Sequence, residues 1–230
     1  MAYNEERNIA ALLDSVLAQS AGDCIARIVI VASGCTDRTC DIVQEYGRKD
    51  ARVELIEEPD RNGKVAAVNK FLLNASEEVL TISSADLIWD SHTVEALLRP
   101  FADPEVGMTG AHAVPLNTDR TFFGFASTMM WTLHHAVALH DPKMGELIAF
   151  RNVFRRVNPT AICDELSVHQ LMRSAGYRVV YVPDAIVYNK GPETLSDFDD
   201  APIDSFDAVL DADRAARLRA TESLERLGAR

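Results

Sequence analysis

Cysteine is scarce in this sequence. The four cysteines, Cys24, Cys35, Cys40 and Cys163, form no Cys-x-x-Cys pair and show no spacing typical of zinc ligands. We therefore expect reduced thiols, and neither a disulfide framework nor a structural zinc ion.

Basic residues are outnumbered by acidic ones. The 230 residues include 23 lysines and arginines against 35 aspartates and glutamates, which gives a formal net charge of −12. A surface this acidic repels nucleic acid and anionic lipid. The charge therefore argues against a nucleic-acid partner, and a ligand that carries phosphates would need a metal ion or a local basic pocket.

Long hydrophobic runs are absent as well. The most apolar stretch, residues 122–139, is interrupted by glycine, serine, threonine and histidine. No stretch reaches the ~20 apolar residues that a membrane span requires. The first residues also lack the basic and apolar regions of a signal peptide. We therefore predict a cytoplasmic location.

Glycine-rich phosphate-binding loops are missing too. Neither G-x-G-x-x-G nor G-x-x-x-x-G-K-[ST] occurs, which argues against a dinucleotide-binding fold and against a P-loop. What is present is a globular composition, with 47% hydrophobic and 25% charged residues, which provides for a sizeable core.

Helix-like and strand-like segments alternate along roughly the first 110 residues. Apolar residues three and four positions apart predict an amphipathic helix over Ile9–Leu17. The β-branched run of residues 27–32 predicts a buried strand, and the alternation continues to about residue 101. This order predicts an α/β fold with a mostly parallel sheet that helices cover on both sides.

Later segments complete the predicted domain. We expect a strand at residues 106–115, helices at 122–139 and 164–175, and strands on either side of Pro183. The composition then changes, because residues 193–213 carry carboxylates but no lysine or arginine, and an arginine-rich helix is predicted after them. We therefore assign residues 1–198 to one domain and residues 199–230 to an acidic segment with a C-terminal helix.

Polar motifs follow the predicted strands, where sheets of this kind bind their ligands. In order along the chain they are Tyr3-Asn-Glu-Glu, Ser33-Gly-Cys-Thr-Asp-Arg-Thr, Gly63-Lys64 with Asn69, Ser84-Ala-Asp86, Gly145-Glu-Leu-Ile-Ala-Phe-Arg151, Asp164-Glu165 and Gly176-Tyr-Arg-Val-Val-Tyr-Val-Pro-Asp-Ala185. Together they resemble family 2 glycosyltransferases over residues 2–198. The resemblance implies a GT-A-type, Rossmann-like fold, a nucleotide-sugar donor, a divalent metal (Mg²⁺ or Mn²⁺) and transfer of the sugar with inversion.

Asp86 is the predicted metal ligand. It stands at the last aspartate of the family's Asp-x-Asp motif, so the resemblance implies that it binds the metal on the diphosphate, while Ser84 replaces the first aspartate. One carboxylate and phosphate oxygens suit Mg²⁺ or Mn²⁺ in a protein of charge −12. From the residues alone, Asp86 equally suits a helix cap.

Glu165 and Asp164 are the predicted catalytic residues. They occupy the family's Glu-Asp pair, and Glu165 aligns with the base that removes the proton from the acceptor hydroxyl. The start of a helix favours the ionised carboxylate that a base requires. Without the resemblance, ordinary helix capping explains both acids as well.

The remaining site predictions concern the donor. The resemblance implies contacts to the nucleotide sugar from Asn4, Glu5, Ser33, Asp37, Lys64, Asn69, Ala85 and Arg151. The charge of Lys64 suits a phosphate, although a solvated lysine at a helix start is the plainer interpretation. Arg151 faces the sugar or the acceptor, or it forms a surface salt bridge.

Two departures from the family pattern affect the prediction. The family has an apolar strand before Ala2, and Met1 stands in its place here. Either the start of the sequence is misassigned, or the strand has been lost or substituted, and its absence predicts a gap beside the nucleotide site. Asp199-Asp-Ala-Pro replaces the basic and aromatic residues of processive members, so we do not expect polymer synthesis through a membrane channel.

The leading prediction is a metal-dependent, inverting glycosyltransferase that uses a UDP-linked sugar and an unidentified sugar, lipid or protein acceptor. The alternative is a catalytically weak nucleotide-sugar-binding or regulatory protein on the same fold, and a nucleotidyltransferase ranks third. An apolar stripe at helical spacing is interpreted as core, or, where exposed, as a site for lipid or for peripheral contact with the inner membrane face. It comprises Phe122, Ala126, Met129, Met130, Leu133 and Val137.

Overall fold

The computed structural model describes residues 1–117, 120–142, 145–158 and 164–191. The helices are α1 (Ile9–Leu17), α2 (Thr39–Lys49), α3 (Lys64–Asn74), α4 (Thr93–Leu98), α5 (Phe122–Ala138) and α6 (Asp164–Ser174). The strands are β1 (Ile28–Ser33), β2 (Val53–Glu58), β3 (Val79–Ser83), β4 (Ile88–Trp89), β5 (Val106–Pro115), β6 (Leu147–Arg151) and β7 (Arg178–Asn189). The predicted boundary at residue 198, the segment 199–230 and Cys163 lie outside the described residues.

The strands form a two-stranded sheet, β1–β2, and a five-stranded sheet in the order β3-β6-β5-β7-β4. Two pairs, β1–β2 and β5–β7, are parallel, whereas β3–β6, β5–β6 and β4–β7 are antiparallel. The predicted α/β class is confirmed, but the sheet is mixed rather than mostly parallel. The unpredicted strand β6 enters antiparallel between β3 and β5, and the short strand β4 adds a further antiparallel pair at the edge beside β7.

The predicted elements are otherwise confirmed with small shifts of their ends. The two strands expected on either side of Pro183 form one strand, β7. Its pairing with β5 shifts from Ala111 opposite Val182 to His112 opposite Ile186. Pro183 therefore sits in a bulge, where its missing N–H leaves no gap in the ladder.

Helices pack against both faces of the sheets, and β6 lies between the two cores. Its alternate side chains face opposite sides, as in any strand. Leu147 and Ala149 join the core of α1, α2 and α4, whereas Ile148 and Phe150 join the core of α3 and α6. All four side chains are fully buried.

A cleft of about 630 Å³ separates β1 from β3. Residues 1–2 bridge it at one end: the Ala2 N–H donates to the Val31 carbonyl (2.9 Å), the Ala2 carbonyl accepts from the Ser33 N–H (3.1 Å), and the Met1 amino group donates to the Ser83 carbonyl (3.2 Å). Within the described residues, no strand occupies the rest of the cleft. The predicted gap in the sheet is therefore present, and it is one strand wide at residues 1–2.

Helix α5 contradicts the interpretation of its apolar stripe as core. Phe122 is 77% exposed and Leu133 is 57% exposed, whereas Gly124 and Ala138 are buried. The helix packs on the sheet through its small residues and through His135, whose Nδ1 lies 2.8 Å from the Tyr181 hydroxyl. None of the described helices is long and apolar enough to cross a membrane.

Candidate functional site

A second cavity, of about 290 Å³, opens where β1 and β3 end. It brings together three loops that are far apart in the chain, those after β1, after β2 and after β3. Its lining consists of Met1, Ala2, Tyr3, Glu5, Val31, Ser33, Arg61, Gly63, Lys64, Ala67, Ser84, Ala85 and Asp86. This cavity, hereafter the pocket, holds charged groups, in contrast to the largely apolar cleft between β1 and β3.

A tight loop after β1 forms one wall of the pocket. Gly34 has a φ of +65°, and a Cβ there would lie 2.8 Å from the Arg61 backbone nitrogen, so glycine is required. The Asn4 side-chain oxygen accepts from the Thr36 N–H at 2.8 Å. Asn4, a predicted donor contact, thus ties the amino-terminal residues to this loop and does not line the pocket.

Four other predicted donor residues, Glu5, Ser33, Lys64 and Ala85, do line the pocket. Ser33 is buried, and its hydroxyl donates to the Asp60 carbonyl at 3.1 Å. Burial raises the pKa of Glu5 and the charge of Asp86 adds to the rise, against a hydrogen bond from Asn8 that lowers it. The Glu5 carboxylate is therefore partly withdrawn from water and lies in the same pocket as a second carboxylate, that of Asp86.

Asp86 lies in the pocket, directly after β3, with Ala85 buried beside it. In the described part of the chain, no three histidine, cysteine, aspartate or glutamate side chains converge closely enough to hold a metal ion. Mg²⁺ and Mn²⁺ at phosphate sites use one or two carboxylates together with phosphate oxygens. The Asp86 carboxylate therefore fits such an ion when a diphosphate supplies the other ligands.

Lys64 connects the pocket to helix α6. Its Nζ lies 2.5 Å from Glu165 Oε1, and the Glu165 side chain is 14% exposed against 42% for Lys64. The contact places the predicted base beside a lining residue of the pocket, although Glu165 itself does not line it. The side chain of Asp164, the other predicted catalytic residue, lies outside the described residues.

Glu146, the residue before β6, was not predicted as a site residue. Its Oε2 accepts from the Ser84 hydroxyl at 2.7 Å. Burial raises the pKa of Glu146, and Asp86 and Glu165 contribute to the rise, whereas Ser84 and Lys64 lower it. Glu146 does not itself line the pocket, but its carboxylate is hydrogen-bonded to Ser84, which does. Glu146 belongs to the motif that begins at Gly145, which is the sequence feature that could have pointed to it. Its neighbours could not be predicted, because they depend on the antiparallel pairing of β6 with β3.

Tyr3 and Arg61 also line the pocket without having been predicted. The Arg61 guanidinium carbon lies 3.9 Å from the centroid of the Tyr3 ring. This stacking orients a positive charge and an aromatic face at the pocket mouth. Both residues belong to segments that the sequence singled out, Tyr3-Asn-Glu-Glu and the turn before Lys64.

The prediction that Arg151 contacts the donor is corrected, because Arg151 lies at the end of the sheet opposite the pocket. It pairs with Val79 at the start of β3, whereas Asp86 follows the end of that strand. Its guanidinium donates to the carbonyls of Val106 and Phe101 and contacts Glu78. Arg151 therefore holds strand ends together and forms a salt bridge, the alternative that the sequence left open, and it does not line the pocket.

Asn69 and Asp37 also serve the fold. The Asn69 amide exchanges two hydrogen bonds with the backbone of Val157, at 3.0 and 2.7 Å. Asp37 accepts from the Thr39 N–H and hydroxyl and from the Glu6 N–H. Neither side chain lines the pocket, so their predicted nucleotide contacts are not supported.

The sequence profile of glycosyl transferase family 2 matches residues 1–163. The chain is 31% identical over 176 residues to dolichyl-phosphate beta-glucosyltransferase ALG5C of Trichomonas vaginalis, covering 69% of this chain and 52% of that protein. It is 23% identical over 207 residues to poly-beta-1,6-N-acetyl-D-glucosamine synthase of Staphylococcus aureus, covering 84% and 49%. The chain thus spans about half the length of these curated relatives.

A mannosyltransferase from Pyrobaculum calidifontis, solved in complex with GDP-Man and Mn²⁺, has a similar structure. The TM-score is 0.68 at 25% sequence identity, and the match covers 84% of this chain and 56% of that one. The similarity confirms the predicted GT-A-type fold.

Proposed function

Because the chain belongs to glycosyltransferase family 2, we propose that it transfers a sugar from a nucleoside-diphosphate donor to an acceptor hydroxyl, with inversion and with a divalent cation at Asp86. One observation carries the proposal. Lys64 lines the pocket of Asp86 and also contacts Glu165 at 2.5 Å. Lys64 thus links the carboxylate proposed to bind the metal with the carboxylate proposed as the base, and this link supports the proposal.

The pocket suits a diphosphate joined to a nucleoside. Lys64 and Arg61 supply positive charge that a diphosphate needs in a protein of net charge −12. The Tyr3 ring, 40% exposed, offers a face on which a base can stack. The sequence favours UDP, and the similar mannosyltransferase holds GDP-Man and Mn²⁺, so both nucleotides are compared in the experiments below.

In the proposed reaction the acceptor oxygen attacks the anomeric carbon from the side opposite the diphosphate. Glu165 takes the hydroxyl proton while the new C–O bond forms and the bond to the diphosphate oxygen breaks. Asp86 would hold the divalent cation, which would supply neutralisation of charge on the diphosphate. Lys64 moves from Glu165 to the phosphate oxygens when the donor binds, which leaves the Glu165 carboxylate able to accept the proton.

We also propose that the exposed apolar face of α5 contacts lipid, either the acceptor or the membrane that holds it. Six large apolar side chains of this helix are exposed: Phe122, Phe125, Met129, Met130, Leu133 and Val137. A continuous apolar surface of this kind marks an interaction site, and helices of this kind lie in membrane interfaces. The related Trichomonas protein is named a dolichyl-phosphate glucosyltransferase. A cytoplasmic location at the inner membrane face stays a prediction.

The test of the proposed reaction is the Glu165→Gln variant, because glutamine keeps the shape of the side chain but cannot accept the proton. We expect transfer from UDP- or GDP-sugars to fall about 10²–10⁴-fold, the usual contribution of general base catalysis. Binding of UDP or GDP with Mn²⁺ should persist. Initial rates with a panel of acceptors and calorimetry with the nucleotides measure the two effects separately.

Asp164→Asn is the companion variant, for which we expect a smaller loss. Near-normal turnover of Glu165→Gln with loss of turnover in Asp164→Asn would show that the roles are reversed. If the wild-type protein binds nucleotide but transfers no sugar to any acceptor, the alternative of a catalytically weak nucleotide-sugar-binding protein is the better description.

A further inference from the structure

Ser84 and Glu146 are cross-strand neighbours. Strands β3 and β6 run antiparallel with Ser83 opposite Leu147. One step further along this register places residue 84 opposite residue 146, and the Ser84 N–H indeed donates to the Glu146 carbonyl at 3.2 Å. Directly opposite residues on one face of an antiparallel pair have Cβ atoms only about 4.5–5.5 Å apart. A side chain at 146 therefore reaches the same space as a side chain at 84.

The Glu146 carboxylate turns into that space. Its Oε2 accepts from the Ser84 hydroxyl at 2.7 Å. Ser84 and Asp86, two residues apart, both line the pocket. Glu146 does not itself line the pocket, but its hydrogen bond to Ser84 brings its carboxylate to a lining residue two positions along the chain from Asp86. The chain thus presents a serine at 84 and a carboxylate just across the ladder.

The neighbouring charges make this carboxylate hard to explain by packing alone. The hydroxyl of Ser84 needs an acceptor, and an uncharged glutamine would provide one. A carboxylate instead adds negative charge beside Asp86 and Glu165, and like charges at short range are unfavourable. Lys64 already contacts Glu165. A divalent cation brought with a diphosphate would balance the added charge.

We propose that Glu146 is a second acidic ligand of the divalent cation at Asp86, with its carboxylate supplied from β6 to the position that Ser84 leaves without one. This inference rests on the proposed function. It assigns the ion two carboxylates from neighbouring strands and phosphate oxygens for the remaining positions. The pair does not hold the ion alone, so metal affinity depends on the nucleotide.

The experiment compares four proteins: wild type, Glu146→Gln, the double variant Ser84→Asp/Glu146→Ser, and Glu45→Gln as a control on an exposed carboxylate of α2. Mn²⁺ binding is followed by electron paramagnetic resonance in the presence of saturating UDP and, separately, GDP. We expect Glu146→Gln to weaken Mn²⁺ binding about tenfold or more. The double variant moves the carboxylate across the ladder and should restore most of the affinity, while the control matches wild type.

The outcomes separate this inference from the proposed function. If Glu146→Gln binds Mn²⁺ as well as the control does, Glu146 is not a ligand. If the double variant is as weak as Glu146→Gln, the effect of position 146 is not that of a carboxylate and the inference is again overturned. Should Glu146→Gln fail to fold, the double variant decides alone. A wild-type protein that binds neither UDP nor GDP with Mn²⁺ refutes the proposed function, and the inference falls with it.

Discussion

Single side chains of the pocket carry charges that must be balanced when a nucleotide arrives. Asp86 and Glu5 line the same small cavity, and Lys64 is shared with Glu165. An added diphosphate therefore meets carboxylates as well as basic groups. Binding of the diphosphate should therefore depend on a cation more strongly than it would in a pocket with more basic side chains.

At this scale we expect Asp86→Asn to weaken Mn²⁺-dependent binding of UDP or GDP, because asparagine keeps the size of the side chain but loses its charge. The fold should survive, since Asp86 is half-buried at a strand end and belongs to neither apolar core. Calorimetry with Mn²⁺ and with EDTA measures the effect, and thermal unfolding checks the fold. Wild-type affinity that is undiminished in EDTA would contradict the expectation.

The Asp37 side chain contributes to the stability of the fold through its hydrogen bonds. Burial alone would raise its pKa, but hydrogen bonds from Thr39 and Glu6 outweigh burial and lower it. We expect Asp37→Ala to reduce the free energy of unfolding by about 1 kcal/mol at pH 7, as for loss of a helix cap. The control is Asp41→Ala, in the first turn of the same helix.

The pH dependence of this difference follows from the lowered pKa. A carboxyl group whose pKa is lower in the folded state stabilises the protein at pH values above its pKa in the unfolded chain, about 3.9. This stabilisation is lost as the pH falls through the pKa of the folded state. Urea denaturation should therefore separate Asp37→Ala from wild type at pH 7 and show a smaller difference near pH 3. A difference that is constant over this range would assign the effect to packing.

At the scale of elements, the cleft between β1 and β3 exposes two strand edges to each other. Alternation along β1 turns the backbone groups of Val29 and Val31 toward the cleft, because the Val31 carbonyl accepts from Ala2. The same alternation along β3 turns Val79 and Thr81 toward it, because the Ser83 carbonyl accepts from Met1. The cleft therefore matches a parallel strand continuous with residues 1–2.

We expect an engineered extension of five valine and isoleucine residues before Met1 to fill this cleft and to raise the midpoint of urea denaturation. Each such side chain contributes about 1.5–3 kcal/mol when fully buried, against about 1–2 kcal/mol for ordering its backbone. The m-value should also rise, because unfolding then exposes more surface. An extension of five glycines and serines is the control. Equal midpoints for the two extensions would show that the cleft does not accept a strand.

At the scale of the whole molecule, the net charge and the apolar face of α5 act on a membrane in opposite directions. The net charge of −12 repels anionic lipid. Apolar contact, in contrast, does not depend on the charge of the membrane surface. Binding to zwitterionic vesicles should therefore vary little with salt. Binding to anionic vesicles should be weaker at low salt and should rise with salt as the repulsion is screened.

The matched variants for this prediction are Phe125→Ser/Leu133→Ser on α5 and Leu73→Ser on α3, since Leu73 is an apolar side chain exposed elsewhere, at 72%. We expect the α5 variant to lose vesicle flotation and the Leu73 variant to retain it. Flotation that is equal for both variants and wild type would refute the proposed lipid contact through α5.

The amino-acid sequence by itself determined the local elements and the chemistry at the strand ends. Apolar spacing predicted α1 and a β-branched run predicted β1, because such local patterns reflect the geometry of a single element. Ser33, Lys64 and Asp86 stand at or just after predicted strands or at a helix start, and the family resemblance of their motifs then implied their roles in the site. Parallel strands bring such positions to one edge of a sheet.

The positions of the residues on and beside β6 were decided only by the tertiary structure. The antiparallel entry of β6 places Arg151 at the far end of the sheet and Glu146 opposite Ser84. Likewise, α5 has the periodicity of a buried helix, and its exposure became visible only once its small residues packed on the sheet. Strand direction and the choice of packed face depend on contacts between residues distant in the chain, and local spacing carries no information about them.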